Sequence, residues 1–337
     1  MADTDVTADT IVAEAETAAE TLQQVKAEIA KAVFGQERVV ELALAAVLGG
    51  GHALLIGAPG LAKTRLVEAM GTALGLANQR IQFTPDLMPS DILGSEVLDE
   101  SPTGQRSFRF LRGPIFTQLL MADEINRASP RTQSALLQAM QERHVTVAGM
   151  RHDLPAPFHV LATQNPIEQE GTYPLPEAQL DRFLLKAEVG MPTAAELTQI
   201  IERTTGSHQA TPRPVTTPGE VSEMIALTRS VPVPEAVVRF AATIVVATHP
   251  NSEGAPDAVR RYVEAGSSPR GAQALILAAK AVALMDGRPS VSSDDIRSVA
   301  QPALRHRVAL GYDAINDDVA VSSVIDAVVE SAATVAL

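Results

Sequence analysis

The sequence predicts an α/β domain, a parallel sheet covered by helices on both faces, followed by an all-helical domain. Three observations predict it. Between Phe34 and Gly190, short apolar strand candidates alternate with helical patterns, the rhythm of a parallel sheet buried on both sides. The first strand candidate runs into a glycine-containing loop, Gly57 to Thr64, that opens a helix. From Met191 onward the pattern turns to helices with clear start signals and no strand pattern of comparable quality.

Five strands are read in the first part: His52–Ile56, Arg80–Thr84, Thr117–Ala122, Phe158–Thr163 and Phe183–Val189. After the first, Leu66, Val67, Met70 and Leu74 recur at helical spacing. After the third, Ser129 caps a helix with Pro130 at its first position, continuing through Leu136, Leu137 and Met140. Two insertions read as hairpins. Ser101-Pro102-Thr103-Gly104 is a turn signal before the alternating Ser107 to Phe110, and Val145 and Val147 precede Ala148-Gly149.

In the second part, Thr193 with Glu196 and Thr217-Pro218 with Glu220 fit capping boxes. Helices follow at about Val233–Thr248, at Pro269–Asp286, stopped by Gly287, and at Ser293–Ala303, with another near the C-terminus. The division expected is an acidic tail leading into a helix over 1–30, a core over 31–190 and a helical domain over 191–337.

With 337 residues, 46% of them hydrophobic and 20% charged, the chain can bury a substantial core. The absence of cysteine removes disulfides and thiolate metal sites. Residues 1–30 carry seven acids and one base, so −6 of the net −13 sits there, and the remainder is still acidic. That balance argues against a nucleic-acid-coating surface. The stretches around Val39–Leu48 and Leu275–Met285 are interrupted by Glu41 and Lys280 and are too short for a bilayer. The acidic start lacks the basic and apolar blocks of a signal peptide, so no membrane insertion and a cytoplasmic location are expected.

The loop Gly57-Ala58-Pro59-Gly60-Leu61-Ala62-Lys63-Thr64 follows the phosphate-binding pattern G-x-x-x-x-G-K-[ST] except that Ala62 replaces the second glycine. The chemistry survives that change, because such a loop works through backbone N–H groups at a helix N-terminus. Lys63 reaches the β- and γ-phosphates of ATP and Thr64 offers a hydroxyl to Mg²⁺. Arg65 follows in the first helical turn and joins the nucleotide-binding set. An alanine fits only where φ is negative, so Ala62 is expected to lie already at the start of the helix. The competing reading is a plain turn with a solvated Lys63.

The third strand ends in Asp123-Glu124, adjacent acids at the carboxyl edge where ligands bind in open α/β sheets. Strand alternation lets them differ in role. Asp123 can hold the Mg²⁺ shell while Glu124 orients and deprotonates an attacking water. The fourth strand ends in Gln164-Asn165-Pro166, where the Asn165 amide can hold that water, although a plain Asn-Pro turn reads equally well. Arg182 directly precedes the fifth strand, with a salt bridge to Asp181 or a neighbouring acid as its structural alternative. Arg270 falls in the first turn of a helix, where a cation is disfavoured without an anionic partner.

These stretches, with Ala122 to Ala128, Glu168 to Gln179 and Ser268-Pro269-Arg270, resemble the MoxR family of AAA+ ATPases from about Val33 to Arg307. Ala62 is typical of that family. The resemblance implies a P-loop AAA+ three-layer nucleotide-binding domain with strand order 5-1-4-3-2, an all-helical lid, and assembly into a ring, usually hexameric. It implies Asn165 as sensor 1, Arg182 as the arginine finger reaching a neighbour's ATP, and Arg270 as sensor 2 within its own subunit. Val33, Phe34 and Gly35 would line the adenine pocket, and the hairpins would face the ring pore or top.

The family implication is ATP-driven, chaperone-like remodelling of a protein client, often with a partner bearing a von Willebrand factor A domain. Two alternatives stand beside it: a nucleic-acid translocase, against which the acidity and poor basic-aromatic signals count, and a nucleotide-gated scaffold that hardly hydrolyses. The histidines show no metal-ligand spacing, and no Ser-His-Asp, G-x-S-x-G or G-x-G-x-x-G signature is present.

Overall fold

The computed structural model describes residues 8–100, 106–166, 171–205 and 210–336. The predicted turn Ser101–Gly104 lies outside them, as do Asp3 and Asp5 of the acidic start and Glu168 to Glu170 of the motif region.

The chain opens with α1 (Ala8–Ile29) and α2 (Glu37–Leu48), then β1 (Ala53–Ile56), α3 (Lys63–Ala73), β2 (Asn78–Gln82) and the short α4 (Pro89–Leu93). A hairpin, β3 (Gly94–Glu100) with β4 (Arg106–Arg112), precedes β5 (Leu119–Asp123) and α5 (Pro130–Glu142). A second hairpin, β6 (His144–Val147) with β7 (Met150–Asp153), leads to β8 (His159–Gln164), α6 (Glu177–Leu180) and β9 (Leu185–Glu188). Helices then dominate: α7 (Ala194–Thr204), α8 (Pro218–Ser230), α9 (Glu235–Ala247), α10 (Asp257–Tyr262), α11 (Pro269–Met285), α12 (Ser293–Leu304), α13 (Tyr312–Asn316) and α14 (Val321–Ala336).

The central sheet runs β9-β1-β8-β5-β2 with every pairing parallel, which in order of predicted strands is 5-1-4-3-2. Side chains alternate across it. Leu119 and Met121 of β5 enter one core together with α1, α2 and α3, whereas Leu120 and Ala122 enter a second with α5. Both faces are therefore dry, and the strands read as continuous apolar runs. The second strand begins two residues earlier than predicted. Its place is set by pairing Asn78–Gln82 against Leu119–Asp123, and at the sheet edge Asn78 and Gln79 carry no apolar signal.

Both predicted hairpins form. Leu98 faces Phe108 across the first, and the two hairpins meet where Phe110 stacks on His152 with ring centroids 4.0 Å apart. The capping boxes at Thr193 and Thr217 close as expected, each hydroxyl accepting from the Glu N–H three residues on. One small strand pair was not expected among the helices: β10 (Val263–Ala265) with β11 (Ala309–Leu310). Two and three residues are too few to show a period.

Residues 8–29 are more than a lead-in. Ala15, Ala18, Leu22, Val25 and Ile29 recur at three- and four-residue spacing and are buried, laying α1 across α3 and α11. Among the described residues no single helix is long and apolar enough to cross a membrane.

Candidate functional site

The loop after β1 is shaped by two glycines. A Cβ at Gly57 would lie 2.6 Å from the carbonyl oxygen of Val189, and Gly60 has φ 83°. Ala62 differs from expectation: it precedes α3 as its N-cap, with φ 58° and ψ 19°. The chain must turn through the left-handed region there before Lys63 can begin the helix. The alanine therefore accepts a conformation that costs an L-residue about 1–2 kcal/mol. Its carbonyl takes the first helical hydrogen bond, from Leu66 N–H at 2.9 Å.

Lys63 folds back under the loop and donates to the carbonyls of Gly57 at 2.6 Å and Ala58 at 2.7 Å. Partial burial pushes its pKa down, and the carboxylates of Asp123 and Glu124 oppose that shift. Lys63 is therefore a half-buried cation held by two loop carbonyls, unlike the freely solvated side chain of a plain turn.

At the end of β5, Asp123 is buried and Glu124 turns out of the strand at φ 55°. The Thr163 hydroxyl on β8 donates to Asp123 Oδ1 at 2.6 Å and accepts from Glu124 N–H at 2.9 Å. Arg80 on β2 holds the other oxygen, with Nη2 2.6 Å from Asp123 Oδ2. Gln82 donates to Glu124 Oε2 at 2.8 Å and Arg127 at 3.1 Å. Both acids face one cleft with different partners, Asp123 from within the strand and Glu124 from the left-handed turn that follows it.

Lys63, Thr64, Asp123, Glu124 and Asn165 line one cleft of about 210 Å³ with Pro59, Gly60 and Leu61. Arg80 and Gln82 complete its wall. The sequence reading did not single out Arg80, Gln82, Arg127 or Thr163. Their relevance comes from register, which sets Gln82 opposite Asp123, and from the strand order that puts β8 beside β5.

Arg182 and Arg270 do not line that cleft. They share a second one, also about 210 Å³, with Asp181 and Arg307. Asp181 is not the partner of Arg182. Its Oδ1 accepts from Arg307 Nε at 2.7 Å, and its Oδ2 accepts from Ser268 Oγ at 3.0 Å. Arg270 is 3.7 Å from Asp181 Oδ2, which supplies the anionic partner expected for a cation in a first helical turn. The buried Nε of Arg182 has no hydrogen-bond partner among the described residues. Ser268 docks the first turn of α11 on Asp181, which places Arg270 beside Arg182 and apart from the cleft of the 57–64 loop.

Phe34 and Arg65 line a third cleft, of about 300 Å³, between α3 and the end of α7, where Arg203 lies 5.0 Å over the Phe34 ring. Val33 is packed in the core, and Gly35, with φ 67°, abuts Glu196. No group of three or more potential His, Asp or Glu metal ligands occurs among the described residues.

Comparison with known proteins gives the same assignment. Residues 52–185 match the family model described as "ATPase family associated with various cellular activities (AAA)", and residues 256–328 match the AAA lid domain. The chain is 41% identical to Chaperone MoxR1 of Mycobacterium tuberculosis, covering 93% of this chain and 82% of that protein. It is 32% identical to Protein MoxR of Methylorubrum extorquens, covering 84% and 86%. A crystal structure of a proposed ATPase from Cytophaga hutchinsonii superposes with a TM-score of 0.87 at 35% identity, covering 94% of this chain and 96% of that one. Sheet order, cleft and relatives agree: this chain belongs to the MoxR family of AAA+ ATPases.

Proposed function

We propose that the chain hydrolyses ATP in the cleft below the 57–64 loop and uses the cycle to remodel a protein client. The observation that carries this reading is the convergence of Lys63, Thr64, Asp123, Glu124 and Asn165 on one cleft. Loop N–H groups cradle phosphate oxygens, and Lys63 exchanges the Gly57 and Ala58 carbonyls for the β- and γ-phosphates. Glu124 accepts the proton of the attacking water while Asn165 orients it. The Thr64 hydroxyl and Asp123 carboxylate are hard oxygen donors that fit Mg²⁺, which neutralises phosphate charge when bound. Val33, Phe34 and Gly35 border the base, and Arg65 faces the nucleotide.

Arg182 and Arg270, sharing a cleft apart from the loop, serve the nucleotide of a neighbouring copy. Each site is then completed only by assembly, as a ring and by family likeness a hexamer. Residues 31–190 act as the nucleotide core and 191–337 as the lid, with 1–30 as an appended segment. The hairpins β3–β4 and β6–β7 face the pore or top, where exposed Leu98 and Phe108 are available to a client. The relative named a chaperone supports a protein client. Maturation or activation of complexes with a partner bearing a von Willebrand factor A domain, in the cytoplasm, is the family-based extension.

Glu124→Gln tests it. This variant should form an ATP-dependent ring by size analysis and retain a client and the von Willebrand factor A partner that wild type releases. A monomer with and without ATP, or no nucleotide-dependent retention, would refute the remodelling reading.

A further inference from the structure

The turn bearing Arg182 is tied to the end of α12 by Arg307, with His306 Nε2 3.0 Å from the Phe183 carbonyl beside it. The Arg307 side chain is only 3% exposed. Besides its bond to Asp181 Oδ1, it donates to the carbonyls of Asp181 at 3.1 Å, Phe183 at 2.7 Å, Leu184 at 3.2 Å and, within its own helical end, Ala303. An exposed ion pair would matter little. A buried guanidinium whose fork is filled this way differs, because its removal leaves Asp181 Oδ1 and the carbonyls of Asp181 and Leu184 without the donor they share.

The same carboxylate reaches a third element. Asp181 Oδ2 accepts from Ser268, the N-cap of α11, two residues before Arg270. One acid therefore joins the turn carrying Arg182 to the helix start carrying Arg270. Asp181 is also the sequence neighbour of Arg182 and would be its nearest competing anion. Both carboxylate oxygens are already engaged, and the buried Nε of Arg182 has no hydrogen-bond partner among the described residues.

We propose that Arg307 is a positioning residue for ATP hydrolysis. By occupying Asp181 and the 181–184 carbonyls, it keeps Arg182 out of an intramolecular ion pair and presents Arg182 and Arg270 as one unit to a neighbour's nucleotide. This rests on the reading that those arginines act across a subunit boundary. Arg307 touches neither the loop nor Asp123, so its loss should leave nucleotide binding alone. Without it, Arg182 turns onto the freed Asp181 Oδ1, and Arg270 closes further on the carboxylate it already neighbours at 3.7 Å.

The experiment compares steady-state hydrolysis by Arg307→Met, Arg307→Lys, Arg182→Ala and Arg305→Met, each alone and the first three also mixed with Glu124→Gln copies. Arg305 makes a nearby ion pair with Glu188, 2.6 Å apart, without touching 181–184, so its variant should keep near-wild-type kcat. Arg307→Met should lose about 100-fold and Arg307→Lys about 10-fold in kcat, with KM for ATP unchanged. Arg307→Lys keeps a cation beside Asp181 and carries the test if Arg307→Met does not fold.

Mixing separates positioning from folding. Glu124→Gln copies retain intact arginines, while Arg307 variants retain an intact loop cleft, so mixed assemblies should turn over several-fold faster than the two proteins apart. Unchanged kcat in both Arg307 variants overturns the proposal. So does a gain on mixing for Arg182→Ala but none for the Arg307 variants, since Arg307 then serves the fold only. If Arg182→Ala itself loses nothing and gains nothing, the cross-subunit reading fails, and the inference with it.

Discussion

Thr163 and Asp123, on adjacent strands, are joined by a 2.6 Å hydrogen bond from hydroxyl to carboxylate, and the same hydroxyl accepts the Glu124 N–H. This oxygen fixes the direction of one acid and the left-handed backbone of the next. Thr163→Val preserves shape and removes both bonds. The stranded N–H should cost about 1–3 kcal/mol in urea unfolding, and kcat should fall while ATP still binds. Unchanged stability and turnover would show that the hydroxyl has no such role.

Ala62 offers a test of strain. Ala62→Gly removes a left-handed cost of about 1–2 kcal/mol but adds about 0.4–1 kcal/mol of unfolded-state entropy. The expected result is a net gain of about 0 to 1.5 kcal/mol with nucleotide binding retained. A clear loss of stability would mean that the methyl group makes contacts outweighing its strain.

For the arginines, Arg182→Ala should lower kcat by about 10³-fold while leaving nucleotide affinity near wild type. Arg270→Ala should act in the same direction, and the double variant should lose less than the product of the two, since both serve one cleft. Loss of nucleotide binding in the isolated subunit on removing Arg270 would return it to its own site.

Burial sets a pH dependence. Desolvation lowers the pKa of His52 to about 3 and of His159 to about 4, so both are neutral in the fold. Above pH 6.5 the folded and unfolded states are both neutral there and stability is full. As pH falls below the unfolded value, only the unfolded chain takes up these protons. Each imidazole then removes about 1.4 kcal/mol per pH unit until its folded pKa is approached. His159→Gln should flatten the slope of stability between pH 6.5 and 5 by that amount, and an unchanged slope would contradict it.

The sheet order and hairpins were legible because period-two and helical patterns survive in single segments, and the family motifs carry the order. The φ of Ala62 was not, because closure of the loop overrides the preference of the residue. Arg80, Gln82 and Thr163 become neighbours of the acids only through strand register. Arg307 was visible as a basic spot at the edge of the resemblance, yet its partners lie more than a hundred residues away. The placement of Arg270 likewise depends on how α11 docks, which no local pattern specifies.

Glu124 carries the chemistry proposed here, and ATP turnover by Glu124→Gln beside the wild-type chain, with nucleotide affinity measured in the same preparations, examines it most directly. Wild type should hydrolyse ATP in a Mg²⁺-dependent manner, and Glu124→Gln should bind ATP as tightly but turn over about 10²–10⁴-fold more slowly. Equal turnover by the two proteins would show that Glu124 does not activate the water.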